Sequence, residues 1–138
     1  MKTIIFDLDG TLIDLKTGEC FLCPEDLQAL TDTFQFALVT GASFDEVESA
    51  LATLEMTRFF PRERVVCKED TVGGKDTGKP FLKAVQEVGD NAIVIGDSWK
   101  DEKGSLVAGL KCLKVSQDLS TKDAVEFALA LFRGDVPW

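Results

Sequence analysis

The stretch Thr3-Ile4-Ile5-Phe6-Asp7-Leu8-Asp9-Gly10-Thr11-Leu12 decides how the rest of the chain is interpreted. Its apolar run at residues 4–6 is typical of a short strand that is covered on both faces in a parallel sheet. Two carboxylates, Asp7 and Asp9, follow at the end of this strand. Gly10 tolerates backbone dihedrals that are closed to other residues, so the chain can turn there and bring both acids to one pocket.

Length and composition favour a single domain spanning residues 1–138. The chain is 45% hydrophobic, which is enough to bury a core of its own. Its formal net charge of -9 disfavours binding to the phosphate backbone of nucleic acids. No apolar run approaches the roughly 18 residues of a membrane span, and no basic region and cleavage site precede Ile4. We therefore expect a soluble, cytoplasmic protein with no nucleic-acid or membrane partner.

The chain contains no histidine, which excludes every mechanism that needs an imidazole base. It contains four cysteines, and only the Cys20-x-x-Cys23 spacing suggests a zinc site or a disulfide. Cys67 and Cys112 fall within predicted strands, where a free cysteine packs as a small apolar side chain. We expect Cys20 and Cys23 to be reduced and free of metal in a cytoplasmic protein.

Apolar runs and capping signals predict strands that alternate with helices. The predicted strands comprise residues 4–6, 36–39, 64–67, 92–96 and 112–115. The predicted helices comprise residues 24 to about 34, residues 44–56 with a capping box of Ser43 and Glu46, residues 79–88 with Leu82 facing inward, a segment carrying Leu106, Val107 and Leu110, and a segment capped by Ser120. Residues 10–24 are expected to form a hairpin or flap, and residues 68–78 a mobile polar loop.

This alternation predicts a doubly wound, Rossmann-like α/β fold with helices on both faces of a parallel sheet. Right-handed crossovers give the five strands the spatial order 3-2-1-4-5. In such a sheet a ligand lies outside the carboxyl ends of the strands, where the strand order reverses. Polar side chains follow the predicted strands at this edge: Asp7, Asp9, Thr40, Asp97 and Asp101. The crevice between strands 1 and 4 should therefore collect four carboxylates.

Clustered carboxylates repel one another unless a cation joins them, and an all-oxygen site of this kind suits Mg²⁺. Asp7, ionised at neutral pH, is a usable nucleophile toward phosphorus, and Asp9 can exchange protons with the leaving oxygen and with water. The hydroxyl of Thr40 and the ammonium of Lys79 can orient the phosphate. Lys75 lies in the same loop, and the sequence does not decide which ammonium reaches the pocket.

The order of these residues resembles the four motifs of the haloacid dehalogenase-like superfamily of phosphohydrolases, over residues 1 to about 115. The four matching segments are Asp7-Leu8-Asp9-Gly10-Thr11, Thr40 after Leu38-Val39, Lys79-Pro80, and Gly96-Asp97-Ser98-Trp99-Lys100-Asp101. The resemblance implies that Asp7 is the phosphorylated nucleophile and Asp9 the general acid/base. Phosphate would be bound by Thr40, Gly41 and Lys79. The metal would be held by Asp7, Asp97 and the backbone carbonyl of Asp9, with Asp101 anchoring it directly or through water.

Family members that hydrolyse phosphate esters carry aspartate at position 9, so the resemblance disfavours dehalogenase and phosphonatase chemistry. Only residues 11–36 and 41–79 have room for a cap domain, and predicted elements already occupy both spans. We therefore expect a capless phosphatase. Its site would be covered by a large substrate, a second copy of the chain, or a loop such as residues 10–24 or 68–78. A phosphorylated small metabolite closed in by the flap is the substrate that we favour.

Two other classes of protein share this kind of fold. A phospho-accepting receiver module carries its acceptor aspartate after strand 3 and its lysine after the last strand. Here strand 3 ends in Cys67-Lys68-Glu69-Asp70, and Lys79-Pro80 precedes strand 4, so the order is wrong for a receiver. A catalytically silent binding domain is the other alternative, and the presence of every expected chemical group disfavours it.

Overall fold

The computed structural model of the protein describes all residues from Met1 to Trp138. Five parallel strands form one sheet in the order β3-β2-β1-β4-β5, which confirms the predicted topology. The strands are β1 (Lys2–Phe6), β2 (Phe34–Val39), β3 (Val65–Val66), β4 (Ala92–Gly96) and β5 (Lys111–Lys114). The central strand β1 pairs with β2 on one side and with β4 on the other, so its carboxyl end lies at the middle of the sheet edge.

Helices cover both faces of the sheet. They are α1 (Pro24–Gln28), α2 (Phe44–Leu54), α3 (Lys79–Val88), α4 (Trp99–Val107) and α5 (Thr121–Arg133). Successive side chains of β1 point to opposite faces of the sheet. Ile4 and Phe6 pack with α2 and α5 on one face, and Ile5 packs with α3 on the other. Both faces of the strand are thus buried, as its continuous apolar run predicts.

The helix after Ser43 follows the predicted capping pattern. The Ser43 hydroxyl accepts a hydrogen bond from the Glu46 backbone amide at 3.2 Å, and the Glu46 carboxylate accepts one from the Ser43 amide at 3.0 Å. These two bonds satisfy donors that the first turn of a helix would otherwise leave unpaired. Helix α2 ends at Leu54, two residues before the predicted end. None of the helices combines the length and the hydropathy that are needed to span a bilayer.

The first helix is much shorter than predicted. It ends at Gln28, and turns lead to Phe34, which is the first residue of β2 rather than the last of a helix. Phe34 is in register with Lys2 of β1. Pairing with the central strand requires an extended backbone, so sheet formation overrides the helical spacing of the apolar residues Leu27, Leu30 and Phe34.

Leu82 of α3, which we expected to face inward, is exposed, and so are Leu106 and Val107 of α4. The inner surface of α4 instead carries small or polar residues, Asp101, Gly104 and Ser105, all of them buried. Residues 68–78, which we expected to be mobile and irregular, contain two short 3₁₀ helices, Lys68–Asp70 and Lys75–Thr77. The second of these 3₁₀ helices packs directly against α4.

Candidate active site

The parallel pairing of β1 with β4 brings their acidic ends together. The backbone amide of Asp7 donates to the carbonyl of Ile95 at 3.0 Å, which continues the ladder to the end of both strands. Carboxylate oxygens of Asp7, Asp97 and Asp101 lie within 4.8 Å of one another as a result. The acid that follows β3, Asp70, is not part of this cluster, since its carboxylate is paired with Arg62 at 2.7 Å.

Asp7 is buried at the centre of the cluster, with 7% of its surface exposed. Its Oδ1 accepts hydrogen bonds from its neighbour's amide, Leu8 N, at 2.8 Å and from Lys75 Nζ at 2.6 Å. Burial raises the pKa of Asp7 to about 7, an effect that the Lys75 ammonium opposes and the Asp101 carboxylate reinforces. Asp7 therefore holds its proton to a higher pH than a free aspartate does, and a bound cation would be needed to keep it fully ionised at neutral pH, as we predicted it to be.

The structure places Lys75, and not Lys79, in the site, which corrects our choice of lysine. Lys75 Nζ lies 2.6 Å from Asp7 and 2.8 Å from Asp101. Burial opposes the charge of Lys75, but the two carboxylates outweigh it and hold the pKa of Lys75 above its usual value. Lys79 is exposed at the first turn of α3, and its side chain makes no hydrogen bond or ion pair. Lys75 reaches the site because residues 75–77 form a 3₁₀ helix that turns its side chain inward. No pattern in the sequence indicated this 3₁₀ helix.

Asp101 is fully buried and has a second role as a capping residue of α4. Its Oδ2 accepts hydrogen bonds from the Ser98 hydroxyl at 3.1 Å and the Ser98 amide at 3.3 Å, while Oδ1 faces Lys75. Ser105 donates to the Asp101 carbonyl at 2.5 Å. Ser98 therefore orients Asp101. We predicted no role for Ser98, although the Ser98-x-x-Asp101 spacing is similar to that of a capping box.

Two glycines make room for the carboxylates of the cluster. Gly10 has a φ of +81°, and a Cβ at this position would overlap the carboxylate of Asp97. At Gly96, which ends β4, a Cβ would lie 2.5 Å from the carboxyl carbon of Asp101. Any larger residue at either position would displace one acid, so both glycines are required by the close packing of the cluster.

Asp9 lies at the rim of the site rather than in the cluster. Its side chain is exposed, and Oδ1 accepts a hydrogen bond from the Leu15 amide at 3.0 Å. This bond ties the flap, which we define as residues 10–23, to the end of β1. A carboxylate at the rim can meet both an incoming ester and solvent water, as proton exchange requires.

Thr40 and Gly41 follow β2 on the side of Asp7 that faces Lys75. Thr40 is buried, and its hydroxyl accepts a hydrogen bond from the Ala42 amide at 3.1 Å. Thr40, Gly41 and Lys75 line one cleft of about 330 Å³. The cleft thus has a hydroxyl and an ammonium on its walls, two groups that donate hydrogen bonds to an oxyanion.

The donor set fits Mg²⁺. Asp7, Asp97 and Asp101 offer only carboxylate oxygens, which are hard ligands of the kind that Mg²⁺ takes. No sulfur or imidazole ligand belongs to the group, and the four cysteines of the protein are free thiols. The oxygens are close enough for one ion to bridge them after a small adjustment of the side chains.

The chain is similar to one family of known proteins in sequence and in fold. The family model of haloacid dehalogenase-like hydrolases matches residues 23–115. No curated protein sequence gives a significant match. The fold is similar to that of a HAD-superfamily hydrolase of subfamily IA from Geobacter sulfurreducens, with a TM-score of 0.74, 15% identity, and coverage of 92% of this chain and 99% of that chain.

Two further solved structures share the fold. A putative β-phosphoglucomutase from Thermotoga maritima has a TM-score of 0.72 and 16% identity, with coverage of 93% of this chain and 91% of that chain. CbbY from Rhodobacter sphaeroides, solved in complex with phosphate, has a TM-score of 0.68 and 14% identity, with coverage of 81% of this chain and 84% of that chain. The segments after β1 and β2 contain only the flap, α1, α2 and short 3₁₀ helices, so the described chain has no cap domain. The protein belongs to the haloacid dehalogenase-like hydrolases.

Proposed function

We propose that the protein is a Mg²⁺-dependent phosphomonoester hydrolase that works through an aspartyl-phosphate on Asp7. The observation that carries this proposal is the cluster of Asp7, Asp97 and Asp101 around the Lys75 ammonium at the carboxyl ends of β1 and β4. A receiver-like, phospho-accepting domain is disfavoured, because Asp70 after β3 is paired with Arg62 and lies outside the cluster.

Asp7 is suited to nucleophilic attack on phosphorus. Both hydrogen bonds that it accepts are on Oδ1, from Leu8 and Lys75. Oδ2 accepts none, and it is the oxygen that would form the bond to phosphorus. As this bond forms, the bond between phosphorus and the alcohol oxygen breaks, and Asp9 gives its proton to that oxygen. Asp9 then takes a proton from the water that attacks the aspartyl-phosphate, which releases inorganic phosphate and restores Asp7.

Asp7, Asp97, Asp101 and the backbone carbonyl of Asp9 would hold the metal. Bound there, Mg²⁺ would supply positive charge that lowers the repulsion between the carboxylates and the phosphate dianion. Ser98 keeps Asp101 turned toward the cluster, and Gly10 allows Asp97 to approach it. These two residues therefore act through the ligands rather than on the substrate.

Thr40, Gly41 and Lys75 would bind the phosphate oxygens. Lys75 already neutralises part of the charge of Asp7 in the structure without substrate. A phosphate entering the cleft next to Thr40 would be able to take over one of the hydrogen bonds that Lys75 now gives to Asp7 or Asp101. Lys75 thus replaces Lys79 as the phosphate-binding lysine in our proposal.

We place the whole of this chemistry in one domain of residues 1–138 in the cytoplasm, with a small phosphorylated metabolite as the substrate. Structures of CbbY contain phosphate or xylulose-1,5-bisphosphate, which supports a substrate of that size. The flap, tied to Asp9 through the Leu15 amide, is the segment that we propose to cover the site. A second copy of the chain is the alternative cover.

The test is hydrolysis of a small aryl phosphate with and without Mg²⁺. We expect Asp7→Asn to abolish turnover and Asp9→Asn to lower kcat by about 10² to 10⁴, the usual contribution of a general acid/base. Asp45→Asn, an exposed acid at the start of α2, is the matched control. Activity that survives Asp7→Asn would exclude the covalent mechanism, and activity unaffected by chelation would exclude the metal. A stable phosphoenzyme without turnover would support the receiver-like alternative.

A further inference from the structure

We infer that a second cleft, next to Asp97, binds the alcohol part of the substrate, and that it selects a neutral alcohol bearing an aromatic ring. This inference rests on the proposed phosphatase function. The cleft has a volume of about 450 Å³, within the range of small-molecule sites. Its walls come from the flap (Phe21), the segment after β5 (Val115 to Gln117) and the start of α5, and Gly10 and Asp97 also line it.

Each of the three walls is hydrogen-bonded to a residue next to the acidic cluster. The Phe21 amide donates to the Leu12 carbonyl at 2.9 Å. The Val115 amide donates to the Gly96 carbonyl at 2.7 Å, immediately before Asp97. The Thr121 hydroxyl donates to the Thr11 carbonyl at 2.5 Å, immediately after Gly10. The cleft is therefore built on the same backbone segments that position the acids, as a preorganised subsite requires.

The charge of the walls is unfavourable for an anionic ligand. No lysine or arginine lines the cleft, and Asp97 is its only charged residue. The Thr121 hydroxyl already donates to the Thr11 carbonyl, whereas the Ser120 hydroxyl accepts from the Asp123 amide at 3.1 Å and keeps its own proton to donate. A second phosphate or a carboxylate would find no cationic side chain on these walls to pair with.

The same walls favour a flat apolar group. Phe21 is 37% exposed although its backbone is held in place, so part of its side chain is open to contact. Val115 adds an aliphatic surface, and the exposed Gln117 side chain, which makes no hydrogen bond within the protein, can both donate and accept. Aromatic rings gain from stacking or edge contacts with such a phenylalanine.

The two clefts together orient the substrate. Lys75 and Thr40 line the cleft on one side of the cluster, and Asp97 and Phe21 line the cleft on the other. Asp7 touches Lys75 and lies within 4.8 Å of Asp97, so it stands between the two. A phosphate next to Lys75 and an alcohol next to Phe21 would place the bond that breaks beside Asp7.

The experiment compares three alkyl phosphates whose leaving alcohols are similar in reactivity: benzyl phosphate, glycerol 2-phosphate and phosphoglycolate. We expect kcat/KM to be highest for benzyl phosphate and lowest for phosphoglycolate, whose leaving group is anionic. In Phe21→Ala the ratio of kcat/KM for benzyl phosphate to that for glycerol 2-phosphate should fall by about 2-fold to 10-fold, as expected for loss of one aromatic contact. The change should lie in KM. Phe21→Tyr should restore the ratio.

Phe127→Ala is the matched control, since Phe127 is exposed on α5 and does not line the cleft. An unchanged ratio in Phe21→Ala, or a preference for phosphoglycolate, would overturn this inference while the phosphatase function stands. If the wild-type protein hydrolyses none of the three esters with Mg²⁺, the phosphatase function fails and the alcohol site fails with it. Equal changes of the ratio in Phe21→Ala and Phe127→Ala would also contradict a local contact.

Discussion

Gly104 of α4 lies directly against the backbone carbonyl of Lys75, so closely that a Cβ at position 104 would overlap the carbonyl oxygen. The same Cβ would lie 2.8 Å from the ring of Phe81, which is fully buried and cannot move aside easily. Helix α4 therefore holds Lys75 at both ends, with Gly104 against its backbone and Asp101 against its ammonium at 2.8 Å. This packing explains why Lys75 reaches the site.

Gly104→Ala should lower both stability and phosphate affinity. In an exposed helix the change would stabilise by up to about 1 kcal/mol, because alanine has the higher helix propensity. Here overpacking should instead cost about 1 to 3 kcal/mol and displace Lys75. Thermal unfolding and the inhibition constant of inorganic phosphate measure the two effects. Lys103→Ala, on the exposed side of α4, is the control. A more stable Gly104→Ala protein with unchanged inhibition would contradict the close contact.

Replacing each of the two candidate lysines by methionine separates their roles. Lys75→Met should lower kcat/KM by about 10² to 10³, the usual loss for one removed donor to a developing oxyanion. Lys79→Met should change it less than about twofold, because Lys79 is exposed and its side chain has no partner. Steady-state kinetics on an aryl phosphate measures both. A large loss in Lys79→Met with little loss in Lys75→Met would restore the assignment that the sequence favours.

The raised pKa of Asp7 should make the metal-free protein less stable at higher pH. An unfolded aspartate loses its proton near pH 4, whereas burial raises the pKa of Asp7 to about 7 in the folded protein. Between these two pKa values the folded state binds one more proton than the unfolded state. The free energy of unfolding therefore falls as pH rises, and it stops falling above about pH 7. Thermal unfolding at pH 5 to 8 in a chelator measures the slope, which Asp7→Asn should flatten.

Mg²⁺ should oppose this trend, since it binds the ionised carboxylates and competes with the proton on Asp7. The rise in Tm on adding Mg²⁺ should therefore be larger at pH 8 than at pH 6. Asp45→Asn, which leaves the cluster intact, should behave as the wild-type protein does. A pH slope that persists in Asp7→Asn would assign the effect to another group.

Asp70 should stabilise the segment that leads to Lys75. Its carboxylate accepts hydrogen bonds from Arg62 Nη2 at 2.7 Å and from the Cys67 amide at 2.9 Å. The Arg62 guanidinium, against the smaller effect of burial, holds the pKa of Asp70 well below its usual value. The stabilisation that the ionised Asp70 provides is therefore present above about pH 4, near the pKa of an aspartate in the unfolded chain. It is lost progressively as pH falls below that value.

Asp70→Ala should lower the free energy of unfolding at pH 7 by about 1 to 3 kcal/mol, as is typical for hydrogen bonds to a charged group. The difference from wild type should shrink in acid, and urea denaturation at pH 7 and pH 3 measures it. Glu63→Ala, an exposed acid in the neighbouring turn without a hydrogen bond, should have little effect at either pH. An equal loss at both pH values would show that charge is not the cause.

The sequence alone determined the strand order and the acids at the strand ends. Residues 4–6 and 92–96 are continuous apolar runs, and the rules of chain handedness make strands 1 and 4 neighbours. Asp7 and Asp97 follow those runs directly, so their meeting depends only on local pattern and topology. The Ser43 and Glu46 capping box is likewise a local signal, and it is present as predicted.

Tertiary packing determined which lysine reaches the site, where α1 ends and which residues of α4 are exposed. Lys75 and Lys79 have the same charge and each follows a glycine, and it is the contact of Lys75 with Gly104 and Asp101 that brings Lys75 to the site. Phe34 fits a helical spacing, but pairing with β1 places it in a strand. Each of these outcomes depends on contacts between segments that are distant in the chain. Local periodicity contains no information on such contacts, because it reports only which neighbours along the chain share a face.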